Sequence, residues 1–275
     1  MSIASTLPTA HLTSIASARR GSPLPAEVLA QLVAGFLSDG VALLPGLMRE
    51  EVPIMRELMD KQFDDPSIAA THVRDDISLC RAFELDVAFR DLLVMEPIIS
   101  IMEALLGPDC HMIAQNFLRT PPGRAIDTWH VDDSVFFPLP ENISQHPVPP
   151  PPVYVHAFFL LSDVLDDEHG PTQLVPGSHL SGRQPAANLM YRGQGPVSIL
   201  GQAGDVYLHH NQTWHRGAPN TSNQPRHLMS TAYGRRWASQ RLWPFVDYQL
   251  PAQVMSGADE RLLRVLGRHP RGNYA

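Results

Sequence analysis

The stretch Asp127-Thr-Trp-His-Val-Asp-Asp133 sets an imidazole, His130, two positions before a carboxylate, Asp132. Side chains two apart on a β-strand point to the same face, so a strand here would present both groups together. A second stretch, Trp214-His-Arg-Gly-Ala-Pro-Asn-Thr-Ser-Asn-Gln-Pro-Arg226, adds an imidazole at His215 and an arginine at its far end. Two imidazoles and one carboxylate are the set that holds non-haem iron on one face and leaves the opposite positions open. The rest of the chain is then a scaffold that brings these two stretches together.

Around them the sequence has the texture of a β-protein. Short apolar runs alternate with Pro/Gly turns after Pro108: 111–118, 127–137, 153–161, 172–175, 197–200, 205–209 and 227–233. Many short strands at close spacing predict a sandwich or barrel. Val153 to Leu161 is apolar on both faces, which predicts a central strand covered on both sides. Pro138 to Pro152 carries the run Pro149 to Pro152 and cannot be a sheet strand. This loop directly follows the candidate metal stretch; a lid and a passive connector are both compatible with it.

The first third reads as helical. Val28, Leu29, Leu32, Val33, Phe36 and Leu37 recur at helical spacing after Pro25, and Asp39-Gly40 stops the run. Val41 to Leu44 follows as a short strand, then helices are expected over about 49–63, with Pro53 in the first turn, and over 91–106, closed by Gly107-Pro108. Residues 64–90 give no clear pattern. Residues 1–22 read as a flexible tail, with a Ser/Ala-rich, Arg-containing character that also suits a transit peptide. Residues 239–275 give a mixed signal, a strand and then a short helix from about Asp259 to Leu266.

Composition narrows the partners. The chain has 275 residues, 44% hydrophobic and 18% charged, with a net charge of −7, which argues against a nucleic-acid or anionic-membrane surface. No apolar run reaches the roughly 20 residues needed to cross a bilayer. The two cysteines, Cys80 and Cys110, fit reduced thiols in a cytoplasmic protein, with one disulfide left open.

The His-x-Asp at 130–132, the Gly170 to Pro-Gly-Ser-His179 segment, Gly204-Asp205 before a strand and the His215 to Arg226 segment resemble the phytanoyl-CoA dioxygenase family of Fe(II)/2-oxoglutarate-dependent oxygenases. The resemblance covers roughly residues 43–233. It implies a mainly β fold with flanking helices: a double-stranded β-helix (jelly roll, cupin-like) over about 108–236, with helical support from 23–107 packed on one sheet and a C-terminal segment at 237–275, all in one domain. It implies that His130, Asp132 and His215 hold Fe(II), and that Arg226 grips the far carboxylate of 2-oxoglutarate, to which a guanidinium fork is suited. Relatives often carry a hydroxyl two residues after the last ligand; here stands Gly217, so Thr128 or water is expected to supply that hydrogen bond. Gln115 is expected at a co-substrate contact, with Asn116 on the other strand face. Phe159 falls where relatives often have Trp and also reads as a core aromatic. One of His209 and His210 reads either as a substrate-facing residue or as a core or solvated histidine, His179 and Asn220 read as loop and turn residues, and Phe136, Phe137, Tyr154 and His156 read equally as pocket walls or core.

The implied reaction oxidises an unactivated C–H bond of a small molecule, with 2-oxoglutarate and O₂ converted to succinate and CO₂. Hydroxylation of a secondary metabolite is the expected outcome; desaturation, ring formation and endoperoxide formation are its branches. Halogenation is disfavoured because Asp132 fills the place a halide would need. Two other classes stay open: a non-redox metal-dependent barrel enzyme (isomerase or hydrolase), and a non-catalytic metal-binding barrel.

Overall fold

The computed structural model describes residues 12–244 and 248–269. Two sheets face each other. The strands are β1 (Val41–Leu44), β2 (Val73–Arg74), β3 (Ser78–Cys80), β4 (His111–Thr120), β5 (Ile126–His130), β6 (Tyr154–Leu160), β7 (Thr172–Leu174), β8 (Val197–Ser198), β9 (Val206–His210), β10 (His215–Gly217) and β11 (Arg226–Gly234). The larger sheet runs β1-β9-β6-β11-β4-β3-β2 and the smaller β5-β10-β7-β8, with antiparallel pairing throughout. This is the jelly roll. β6 lies between β9 and β11, the central strand its two-sided apolar run predicts.

Helices cover the outer face of the larger sheet: α1 (Ala26–Asp39), α2 (Val52–Asp64), α3 (Pro66–His72), α4 (Val87–Asp91) and α5 (Ile98–Leu106), followed near the C-terminus by α6 (Ala252–Met255) and α7 (Glu260–Val265). Alternation along the strands divides the core in two. Phe117, Val155, Ala157, Phe159, Val206, Leu208, Met229 and Tyr233 face the helices and pack with Leu32, Phe36, Met59 and Ile98. Leu160, Leu174, Tyr207 and Leu228, with Leu118 and Phe158, fill the space between the sheets. Burying this apolar surface is the main force holding the layers together. Phe159 is thus a core aromatic, away from the site.

Several boundaries differ from expectation. The helix expected over 91–106 is broken: Leu92–Val94 forms a 3₁₀ turn, and α5 starts only after Pro97, whose ring and missing amide prevent a continuous helix. Residues 64–90 hold α3, β2, β3, a 3₁₀ turn and α4, each too short for periodicity to reveal. The strand expected within 239–275 is not found among the described residues, and 245–247 and 270–275 lie outside them. Of the expected flexible tail, residues 1–11 also lie outside. Residues 12–22 contradict it: Leu12, Ile15 and Ala18 are buried, and Thr13 and Ile15 exchange backbone hydrogen bonds with Leu43 of β1. Three apolar side chains spaced by three find a groove at the sheet edge, which composition could not reveal. Both cysteines are free and buried, and burial pushes the Cys110 thiol up to about 11.

Candidate active site

His130 ends β5, and there the expected strand stops. Residues 131–134 form a bend, and Asp133 adopts a left-handed φ of 63°. The Asp132 carboxylate therefore reaches the His130 side by a turn of the backbone and not by strand alternation. The bend is tied down from β9 and its following loop: Asp132 N donates to Asn211 O at 2.9 Å. The Gln212 amide donates to the carbonyls of Asp132 and Ser134 at 3.1 and 3.2 Å and accepts from Phe136 N at 2.9 Å. Gln212 is a positioning residue that no motif reading marks; its only signal is its place in the run His209-His-Asn-Gln-Thr-Trp-His215.

His215 opens β10, a three-residue strand paired directly with His130 across the small sheet. That pairing brings the two imidazoles to a centroid distance of 4.2 Å. The Nε2 atoms of His130 and His215 lie 3.9 and 3.7 Å from the same Asp132 oxygen, Oδ1. One donor atom from each of the three side chains lies within 4.8 Å of the others. Each histidine donates Nδ1–H to the carbonyl two residues before it, Thr128 O at 2.7 Å and Thr213 O at 2.9 Å. This fixes the tautomer and leaves both Nε2 lone pairs free to bind a cation, the arrangement a metal-binding histidine needs. Thr128 thus serves through its carbonyl. Its exposed side chain is not among those lining the cavity, which corrects the hydroxyl role expected for it.

Protonation suits the same use. Burial pushes His215 down to about 4 despite the opposing effect of Asp132, and it pushes His209 well down too. Burial would raise the Asp132 carboxyl, but the imidazoles of His215, His156 and His209 outweigh it and hold the group well below the usual carboxylate range. Neutral imidazoles and an ionised carboxylate are the states that ligate a divalent metal.

A cavity of about 380 Å³ lies between the sheets, lined by this triad, Asn116, Phe158, Thr172, Arg226 and Ser230. Arg226 is 4% exposed, and among the described residues no carboxylate pairs with it. Its Nη2 donates to Thr120 Oγ1 at 3.0 Å, while Nε and Nη1 are buried without partners. A guanidinium left in that state is stable only with an anion beside it. The far carboxylate of 2-oxoglutarate is an anion of that kind, so the donor set fits the co-substrate as the triad fits the metal. A Cβ placed on Gly217 would lie 3.8 Å from Arg226 Nη2. The hydroxyl absent there is supplied from the other sheet by Thr120, which pairs with Arg226 across β4 and β11. Asn220 holds Thr120 in turn, donating to its carbonyl at 3.0 Å, besides closing its own turn through Ser222.

Register also corrects the expectation for Gln115. Its side chain faces the helices, wholly buried, and donates to Phe89 O at 2.9 Å. Asn116 points the other way, into the cavity. Of the histidine pair on β9, His209 faces His215 at 4.3 Å between rings, while His210 turns to Phe36 and His179. His179 donates to Leu37 O at 3.1 Å and so joins its turn to the end of α1. His156, on β6, stands 3.2 Å from the second Asp132 oxygen and 3.1 Å from Ser230 Oγ. The proline-rich loop 138–152 lines none of this cavity. Arg183 anchors it, with one guanidinium nitrogen donating to the carbonyls of Pro140, Glu141 and Ile143.

Jelly roll, facial triad and buried arginine define the class of non-haem iron, 2-oxoglutarate-dependent enzymes. The chain belongs to the phytanoyl-CoA dioxygenase (PhyH) family, which it matches over residues 36–228. Similar solved structures include the non-heme alpha ketoglutarate dependent carbocyclase SnoK from nogalamycin biosynthesis, at 24% identity and TM-score 0.57, covering 78% of this chain and 88% of that one. HygX from Streptomyces hygroscopicus, with nickel, 2-oxoglutarate and hygromycin B bound, is 16% identical with TM-score 0.61, covering 79% and 90%. The epimerase SnoN, in complex with Fe3+, alpha ketoglutarate and nogalamycin RO, is 24% identical with TM-score 0.60, covering 86% and 93%. At these identities the likeness is one of fold. No described helix is long and apolar enough to cross a membrane.

Proposed function

We propose that this enzyme oxidises an unactivated C–H bond of a small molecule, a secondary metabolite, by hydroxylation, converting 2-oxoglutarate and O₂ to succinate and CO₂. The observation that carries the reading is one cavity holding both the converging triad and a buried guanidinium with two nitrogens lacking protein partners. His130, Asp132 and His215 would hold the iron, and Arg226 with Thr120 the far carboxylate of the co-substrate. Bound iron and 2-oxoglutarate supply the oxidising chemistry; the chain supplies orientation and exclusion of water. The carbonyls of Thr128 and Thr213 aim the two imidazoles, Gln212 fixes the bend that aims Asp132, and Phe158 and Leu228 keep the cavity wall apolar. Solved relatives by fold include a carbocyclase and an epimerase, so the fold supports more outcomes than hydroxylation. A non-redox metal barrel leaves the orphaned Arg226 without a purpose.

Anaerobic addition of Fe(II) and 2-oxoglutarate should produce a visible charge-transfer band, and succinate release should follow on admitting O₂ with substrate. Asp132→Ala should lose both, while Arg226→Ala should mainly weaken 2-oxoglutarate binding. Undiminished activity of the Asp132→Ala protein would refute the ligand assignment.

A further inference from the structure

Beside the metal cavity lies a second chamber of about 420 Å³, and the two share Ile113, Tyr154 and Arg241 as walls. The outer chamber is lined mainly by apolar and aromatic side chains, among them Phe136, Phe137, Val153 and Trp237. Trp237 is 69% exposed and Phe137 36% exposed. Among the described residues Trp237 has neither a ring contact nor a hydrogen-bond partner. With Phe137 also exposed on the same chamber, the indole belongs to a contiguous apolar surface, the kind that marks a ligand-binding groove where a lone exposed ring would not.

The indole is nevertheless carried on a fixed turn. Ala238 N donates to Arg235 O at 2.8 Å, Arg241 N to Ile113 O at 2.7 Å, and His111 Nε2 meets Ala238 O at 2.7 Å. Such a surface is preorganised, so a ligand there loses little freedom on its account.

The charges of the two chambers are already engaged. Arg241 pairs with Asp133, which also accepts from Tyr154 Oη at 2.8 Å. Arg216 pairs with Asp127, and Arg74 with Asp75 at 3.5 Å. Asp132 belongs to the triad and Arg226 to the co-substrate site. Among the described residues lining the two chambers, every arginine but Arg226 has a carboxylate within 4 Å, which leaves little for a phosphate-bearing thioester to pair with, and Asp132 and Asp133 both face cationic or imidazole partners.

We propose that the outer chamber seats the flat, uncharged, largely apolar ring system of the substrate against Trp237 and Phe137. The part to be oxidised then extends past the Arg241–Asp133 pair into the metal cavity. The inference rests on the proposed oxidation and adds the class of molecule that undergoes it.

The test uses the full chain with Ni(II) and 2-oxoglutarate bound. Dihydroxyanthraquinone serves as the planar probe, with hygromycin B and palmitoyl-CoA as charged comparators. Binding is read by calorimetry and by quenching of tryptophan fluorescence. The planar probe should bind the wild type, at least tenfold more weakly to Trp237→Ala, and close to normally to Trp237→Phe; Trp237 is exposed, so neither change should disturb folding. Equal binding by wild type and Trp237→Ala would overturn the proposal. So would Trp237-dependent binding of a charged comparator in place of the planar probe, or a Trp237-dependent dimer in gel filtration. The anaerobic iron band separates the two readings: the band without probe binding defeats only the chamber, and probe binding without the band defeats only the oxygenase.

Discussion

Arg226 and its neighbours carry the sharpest consequences of single atoms. Hydrogen bonds to charged groups contribute about 1.5–3 kcal/mol, so Arg226→Lys, which loses the fork, should weaken 2-oxoglutarate binding by roughly one to two orders of magnitude. Thr120→Val keeps the shape and removes the hydroxyl bonded to Arg226 Nη2; a several-fold weaker Kd with little change in unfolding free energy is expected. Titration of the anaerobic iron band by 2-oxoglutarate measures both. Gln115 and Asn116 separate stability from binding. Gln115→Ala leaves Phe89 O without its buried donor and should lower the unfolding free energy by about 1–3 kcal/mol, with co-substrate binding unchanged. Asn116→Ala should leave stability within about 0.5 kcal/mol, as expected for a side chain without buried partners, and act only on ligands in the cavity. Urea unfolding beside the band titration checks the pair. His130, Asp132 and His215 were legible as candidates because their residue types and spacing stand in the chain itself, and Arg226 because of the family resemblance of the segment that ends on it. Thr120 was not, because its nearness to Arg226 arises from pairing between strands 106 residues apart. Neither was the choice of Gln115 or Asn116, which the strand register alone decides.

At the scale of elements, the turn between α1 and β1 buttresses the segment leading to His215. Gly40 has φ 73°, and a Cβ there would lie 2.4 Å from Thr213 Oγ1 and 2.6 Å from His179 Nδ1. Its carbonyl accepts from His210 N at 2.9 Å, and Asp39 O accepts from Gly177 N at 2.8 Å. Burial pushes His179 down to about 4 from its ordinary 6.5. The unfolded chain therefore binds more protons than the folded one between those values. His179 contributes stability above about pH 6.5 that is lost as pH falls toward 4, at no more than about 1.4 kcal/mol per unit. Urea midpoints measured from pH 7 to pH 4.5 should fall, and His179→Gln should flatten that fall while lowering the midpoint at pH 7. A steeper fall in the variant would contradict the assignment. The long elements were readable from periodicity: α1 and β1 lie within two residues of expectation, and β6 takes the central place its apolar faces demand. β10 was not, since three residues cannot display alternation, yet it carries the second histidine.

For the whole molecule, the helical layer and the larger sheet share one apolar core in which Phe117 meets Phe89 at 4.5 Å between centroids. Removing such a ring leaves a cavity that neither layer can collapse to fill, so Phe117→Ala should cost about 3–5 kcal/mol. Thermal unfolding should show a single transition, shifted down, because helices and barrel melt together. Two separated transitions would mean that the layers fold independently. The layered architecture was legible from the switch of texture after Pro108, whereas docking of residues 12–18 rests on backbone pairing with Leu43 of β1, a contact between segments that composition and periodicity do not display.

Arg183 holds the proline-rich segment through three carbonyls and none of its side chains. A tether to backbone oxygens is indifferent to the residues it tethers, so substitutions along 140–143 leave the anchorage intact. Because this segment lines neither chamber, its sequence can be rewritten position by position, by chance or by an engineer, with no penalty at the reaction centre, and libraries confined to 140–143 should yield a high proportion of folded, metal-competent proteins.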